Sequence, residues 1–263
     1  MCLLLIAIDA APGLPLLMLG NRDEYHARAS SAVAPWDEDA RVVGGRDLVA
    51  GGAWLGIRVD GRFAAVTNLR TGVPATAPKS RGWLVRDFLL GDATPVDWLD
   101  NVRMRAGEHG PFNLVVGDRS GACALGSSEG MVRSLGAGVH VISNGALGVA
   151  WPKTARLQRG FRDALRGGAE RDEAGLLDLL RDESLPRDEE LPDTGVGLEL
   201  ERLLAPVFIR GERYGTRACS LALRDAGGSV VLRERRFGPS GAFDGEDRWQ
   251  SLAGAAFEPS AAF

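Results

Sequence analysis

Up to Asn68 the chain alternates short apolar runs with Gly, Pro and Asp turns. Leu3–Ile8, Leu14–Leu19, Arg41–Gly44, Trp54–Val59 and Phe63–Thr67 are therefore predicted strands. The first two form a hairpin around Asp9-Ala10-Ala11-Pro12-Gly13, which returns the residues after Leu19 to the chain start. Beyond a Gly- and Pro-bearing loop, Thr71–Pro78, the period changes: Trp83, Leu84, Val85, Phe88 and Leu89 recur at helical spacing. Thr94, Pro95 and Asp97 mark the start of a second helix, with a cap, Pro at the first position and an acid three residues on.

Strands resume at Phe112–Val116, Cys123–Leu125 and Val139–Ser143. Leu157, Phe161, Ala164 and Leu165 then make one face of a helix after Trp151-Pro152, and Lys153, Arg156, Arg159, Arg162 and Arg166 read as its solvated side. A helix around Glu173–Leu180 follows, then a segment, Leu198–Ile209, in which helix and strand signals compete. Arg217–Leu223 and Val230–Glu234 close the pattern as a hairpin on Asp225-Ala226-Gly227-Gly228. Strands, helices, strands, helices, strands in that order fit stacked sheets with helices outside, an α+β rather than a doubly wound architecture. The expectation is one domain over 1–263, with an ordered core over 1–240 and a weakly ordered tail over 241–263.

Composition narrows the function classes. The 263 residues are 45% hydrophobic with a formal charge of −4, and no basic block of the kind that binds a phosphate backbone occurs, which argues against a nucleic-acid partner. Cys2, Cys123 and Cys219 are odd in number and widely spaced, so neither a disulfide framework nor a zinc ribbon fits; a reducing, cytoplasmic setting is expected. No apolar run is long enough to span a bilayer as a helix.

The chemistry starts at Cys2. Removal of Met1 would leave a thiol and a free α-amine on one residue, and an amine of pKa ~8 can take the thiol proton at neutral pH. The alternative is a small buried residue in a strand. Gly20-Asn21-Arg22-Asp23-Glu24 follows the second strand and is delivered next to Cys2 by the hairpin: a carboxylate there would hold the amine and a guanidinium would favour a thiolate, unless the cluster is only a solvated loop. Asn68, Asn144 and Thr216-Arg217 sit at other strand ends, where amides could face an oxyanion. Gly126-Ser127-Ser128-Glu129-Gly130 matches a nucleophile elbow, but no helix follows it, and it reads as a hairpin turn. His26, His109 and His140 are too dispersed for a triad or a metal site.

Asn21-Arg22-Asp23-Glu24 after a Met-Cys strand resembles the signature of the NRDE family, also called the transport and Golgi organization family. The resemblance continues through Gly51-Gly52-Ala53-Trp54-Leu55-Gly56-Ile57, Ala64-Ala65-Val66-Thr67-Asn68, Ser80-Arg81-Gly82, Phe112-Asn113-Leu114, Ile142-Ser143-Asn144, Trp151-Pro152-Lys153 and Tyr214-Gly215-Thr216-Arg217. That family is in turn similar to N-terminal-nucleophile hydrolases of the choloylglycine hydrolase and penicillin acylase type. The resemblance implies a four-layer αββα sandwich of two antiparallel sheets.

It also implies roles: Cys2 as nucleophile, Asp23 orienting its amine, Arg22 as the nearby guanidinium, Asn68 and Asn144 around the oxyanion and Arg217 as the late arginine. Asn21, Glu24, His26, Arg70, Tyr214 and Thr216 are the expected ligand contacts. The pattern departs from those hydrolases in placing Arg22 directly before Asp23, so the division of labour between Arg22 and Arg217 is open.

Two function classes follow. One is a cysteine amidohydrolase acting on an amide or thioester of a small or lipid-like substrate, on C–N bonds other than peptide bonds, with no metal and no required cofactor. The other is a binding and trafficking protein for haem or acyl-coenzyme A, the cargo associated with the family. It would take a haem ligand from His26, His109, His140, Tyr25, Tyr214 or Cys2, and phosphate partners from Arg22, Arg70 and Arg217. A purely structural or interaction role stands beside these two.

Overall fold

The computed structural model describes residues 2–72 and 77–260. In chain order the strands are β1 (Cys2–Ala11), β2 (Leu14–Tyr25), β3 (Ala34–Trp36), β4 (Asp39–Gly44), β5 (Leu55–Arg58), β6 (Phe63–Asn68), β7 (Phe112–Asp118), β8 (Gly121–Gly126), β9 (Met131–Leu135), β10 (Gly138–Ile142), β11 (Tyr214–Arg224), β12 (Val230–Phe237), β13 (Phe243–Ser251) and β14 (Glu258–Pro259). The helices are α1 (Gly82–Leu90), α2 (Pro95–Met104), α3 (Pro152–Arg166), α4 (Glu173–Asp178) and α5 (Leu198–Leu203).

Two seven-stranded antiparallel sheets form. One runs β10-β1-β2-β11-β12-β13-β14 and the other β3-β4-β5-β6-β7-β8-β9. Alternation along each strand builds three apolar layers. Leu4, Ile6 and Met18 of the first sheet meet Leu55, Ala65 and Val115 of the second in an inner core. Leu3, Leu5 and Leu19 point the other way, onto Leu157 and Phe161 of α3 and Leu176 and Leu177 of α4. Val66, Leu114 and Leu125 likewise face Leu84, Phe88 and Leu99 of α1 and α2. Helix, sheet, sheet, helix is the expected αββα α+β sandwich, because each sheet has one apolar face for its partner and one for helices.

The Thr94 hydroxyl accepts from the Asp97 backbone N–H at 3.2 Å, so α2 starts at the cap read from the sequence. Three expectations change. β2 runs on through Tyr25, so Asn21–Glu24 is strand, held between β1 and β11 on both edges, and not a loop. The tail expected from 241 to be weakly ordered instead forms β13, paired with β12 from Val230↔Ser251 to Phe237↔Phe243, because Trp249 packs against the inner core and its indole donates to the Val33 carbonyl at 2.8 Å. Lys153 is not on the solvated side of α3: only 2% of it is exposed. Part of the Thr71–Pro78 loop lies outside the described residues.

Candidate functional site

Strand register decides which polar groups meet. Cys2 pairs with Arg22 across β1 and β2, and Leu3 with Asn21. Cys2 and Arg22 therefore share the face that continues the inner core of Leu4 and Met18, while Asn21 and Asp23 share the helix-side face of Leu3 and Leu19. The four-residue signature is thus split between two sides of one sheet.

On the inner side, the strand ends surround a cavity of about 660 Å³. Cys2, Arg22, Glu24, Asn68, Arg81 and Arg217 are among the residues lining it. The Cys2 thiol is pushed above its ordinary value, first by burial and also by Asp23 and Glu24, while the amino-terminal charge and Arg22 pull it down. A neutral thiol at neutral pH follows, so nucleophilic use of it requires an adjacent base.

Asn68 is held on the opposite sheet: its Oδ1 accepts from the Arg81 guanidinium at 2.7 Å, and the Arg81 Nε donates to the Gly110 carbonyl at 3.0 Å. Asn144 is fully buried and donates through Nδ2 to the Asn68 carbonyl at 2.8 Å. The Ser143 hydroxyl donates to the Cys2 carbonyl at 3.2 Å, and Thr67 and Asn113 both donate to the Ser143 carbonyl. These bonds tie the end of β10 to β1 and β6, so the two sheets meet through amides and hydroxyls just where Cys2 lies.

On the helix side, Asp23 is 1% exposed. Its Oδ1 accepts from the Thr216 hydroxyl at 2.8 Å and its carbonyl from the Tyr214 hydroxyl at 3.1 Å. Burial raises the Asp23 carboxyl, and Lys153 is the largest influence that lowers it. Burial in turn drives Lys153 down from 10.5 to about 8, against the pull of Asp23; its ammonium donates to the Leu204 carbonyl at 3.2 Å. A buried carboxylate and a buried ammonium therefore stabilise each other's charge beneath the strand that carries Arg22.

The remaining candidates fall into place around this pair. Asn21 donates through Nδ2 to the carbonyls of Leu180 and Val207 at 2.8 and 2.7 Å, which fastens β2 to the helical layer. Arg70 forms a buried ion pair with Glu201 and stacks 4.8 Å over Trp151, away from the cavity lining. Arg217 occupies a bulge between Thr216 and Ala218, where its Nη1 donates to the carbonyls of Tyr25, His26 and Arg28. His26 engages the Gly211 carbonyl through Nε2 at 3.1 Å, and burial lowers its pKa.

His109 and His140 engage the carbonyls of Ser80 and Gly136, so the three histidines stay apart; among the described residues no cluster of metal-type side chains forms. Sequence reading missed the roles of Lys153, Arg81 and Glu201. A Lys directly after Trp-Pro at the start of a helix was the available signal for the first, since that position abuts the strand ends and not solvent.

The Transport and Golgi organisation 2 family model matches residues 1–239. The human Transport and Golgi organization protein 2 homolog is 30% identical over 259 residues, covering 89% of this chain and 92% of that protein. The mouse homolog is 27% identical over 255 residues, covering 89% and 92%. Among solved structures, a variant of conjugated bile acid hydrolase from Clostridium perfringens superposes with a TM-score of 0.54 at 9% identity, covering 99% of this chain and 97% of that one. A Caenorhabditis elegans N-acylethanolamine-hydrolyzing acid amidase ortholog superposes at 0.52 and 12% identity, covering 84% and 92%. At such identities the structural likeness is one of fold.

Proposed function

The chain belongs to the Transport and Golgi organisation 2 family, and on that premise we propose that Cys2, freed by removal of Met1, is the nucleophile of an amidohydrolase acting on an amide or thioester carbonyl of a small or lipid-like substrate. The observation that carries the reading is the position of Cys2. It lies on the wall of a cavity of about 660 Å³, flanked by Arg22, with the Asp23 and Lys153 pair beneath. The structural neighbours named as hydrolases of bile acid conjugates and N-acylethanolamines support it through their shared fold.

In this scheme the α-amine of Cys2 takes the thiol proton, and the thiolate attacks the carbonyl carbon. Asp23 holds the resulting ammonium, and Lys153 keeps Asp23 ionised in its buried position. Arg81 fixes the Oδ1 end of Asn68, leaving its Nδ2 as the donor to the oxyanion, and the fully buried Asn144, which is not on the cavity wall, holds the Asn68 carbonyl in place. The ammonium then gives its proton to the leaving nitrogen or sulfur, and water cleaves the acyl-enzyme by the same route.

The test is intact mass, followed by brief iodoacetamide treatment of the folded protein at neutral pH and a screen of N-acyl amides and acyl thioesters. Loss of Met1, one alkylation at Cys2, and turnover abolished by Cys2→Ala with an unchanged circular-dichroism spectrum are expected. Retained Met1, or turnover that survives Cys2→Ala, overturns the reading.

A further inference from the structure

The cations lining the cavity divide into two groups. Arg28 pairs with Asp47, Arg46 with Glu38, Lys79 with Glu108 and Arg236 with Asp247. Arg22, Arg81 and Arg217 form no ion pair among the described residues. The hydrogen bonds of Arg81 go to Asn68 and a carbonyl, and those of Arg217 go to carbonyls. Arg22 Nη1 is buried without a hydrogen-bond partner among the described residues. Burying a guanidinium nitrogen and leaving it unbonded is costly, and such a group is an incomplete half of an interaction.

The three line the same cavity as Cys2. Arg22 is its partner across the β1–β2 ladder, Arg217 occupies the bulge beside Ala218, the partner of Arg22 on β11, and Arg81 reaches in from the opposite sheet through Asn68. Arg22 and Arg217 are close enough that each repels the other's charge. Glu24 also faces this group, but it already lies 3.8 Å from Arg28, and Asp244 stands on the same walls. Of the remaining wall carboxyls, Asp47 pairs with Arg28, Asp23 accepts from the Thr216 hydroxyl, and Glu234 accepts from the Ser220 hydroxyl at 2.7 Å with its pKa raised by burial to about 7, so that it is mostly neutral only below neutrality.

We propose that Arg22, Arg81 and Arg217 form an anion subsite beside Cys2, taking a carboxylate or phosphate of the ligand within a few bonds of the carbonyl presented to the thiol. A guanidinium offers paired N–H donors that match either anion, and two guanidinium groups facing one oxyanion relieve their mutual repulsion. Specificity for an anionic acyl compound rests on the nucleophile reading above; the subsite itself does not.

The experiment compares alkylation of Cys2 by iodoacetate and by iodoacetamide, on the native chain and on the same chain in urea. In urea, iodoacetate is the slower reagent, because its charge repels the thiolate. The native protein is expected to raise the iodoacetate-to-iodoacetamide rate ratio about tenfold, as expected for one charge-assisted contact. Arg81→Met and Arg22→Met should each remove most of that gain, and inorganic phosphate or acetate should protect Cys2.

An unchanged ratio in the native wild-type chain, together with no calorimetric binding of inorganic phosphate or acetate, overturns the subsite and leaves the nucleophile reading standing. Should neither reagent reach Cys2, the nucleophile reading fails and calorimetry alone decides: one-site binding of either anion, weakened about tenfold by Arg81→Met, supports the subsite, and no binding refutes it. Preference for phosphate over acetate, or the reverse, identifies which group the ligand carries.

Discussion

Lys153 lies in an environment unlike its sequence context, and the departure has a measurable size. Burial lowers it from 10.5 to about 8, a difference of about 3 kcal/mol between its charged and neutral forms. Because folding lowers the value, the unfolded chain holds the proton more tightly than the native one. Stability therefore gains as pH rises between about 8 and 10.5, and the penalty for burying the charge is fully present below about 8.

The perturbation is Lys153→Met, which keeps the volume and removes the titration. Integrated from pH 7 to pH 10, the wild-type chain should gain about 2.5 kcal/mol relative to the variant. The assay is urea unfolding at pH 7, 8.5 and 10, read as the difference between wild type and variant so that other titrating groups cancel. At pH 7 the variant is relieved of that penalty while Asp23 loses its largest cationic influence, so the two effects oppose each other at any single pH and the pH dependence of the difference carries the test. A wild-type-minus-variant difference that stays flat from pH 7 to pH 10 would refute the assignment of Lys153 as a buried, depressed ammonium.

Two further outcomes are expected besides those given for Cys2 and Arg81. Glu234 is buried and raised to about 7, so its ionisation weakens the native state as pH rises from about 4.5 through 7; Glu234→Gln should gain about 2.5 kcal/mol on wild type between pH 5 and pH 8 in urea unfolding, and an unchanged difference would count against a buried carboxyl there. Gly52 packs so closely on the start of α1 that a Cβ would lie 2.4 Å from the Gly82 carbonyl carbon. Gly52→Ala should cost ~2 kcal/mol in thermal unfolding and speed Cys2 alkylation by loosening the wall that carries Arg81, whereas wild-type behaviour in both would show that wall to be adaptable.

Much of the molecule is legible along the chain. The two-residue period of Leu3–Ile8 and Leu14–Leu19, the cap at Thr94 and the helical spacing of Leu157 and Phe161 depend on nearest neighbours and on which face must meet oil or water, and those constraints act within a few residues. The hairpin turn at Asp9–Gly13 brings Cys2 beside Arg22 for the same reason, since register follows from turn length. What the chain by itself could not decide is which polar groups would be buried together.

Lys153 and Arg156 are three residues apart on one helix and look alike in sequence, yet one lies beneath the strands with Asp23 and the other pairs with Asp182 at the surface. Arg70 and Arg81 follow the same strand, yet Glu201 takes the first, and Asn68 turns the second toward Cys2. Phe243–Ser251 reads as a thin tail and becomes a strand only because β12 offers it an open edge and Trp249 finds the inner core. Hydrophobic period is a local property, whereas the charge and hydrogen-bonding of a buried group depend on neighbours a hundred or more residues away, which only the stacking of the two sheets brings together.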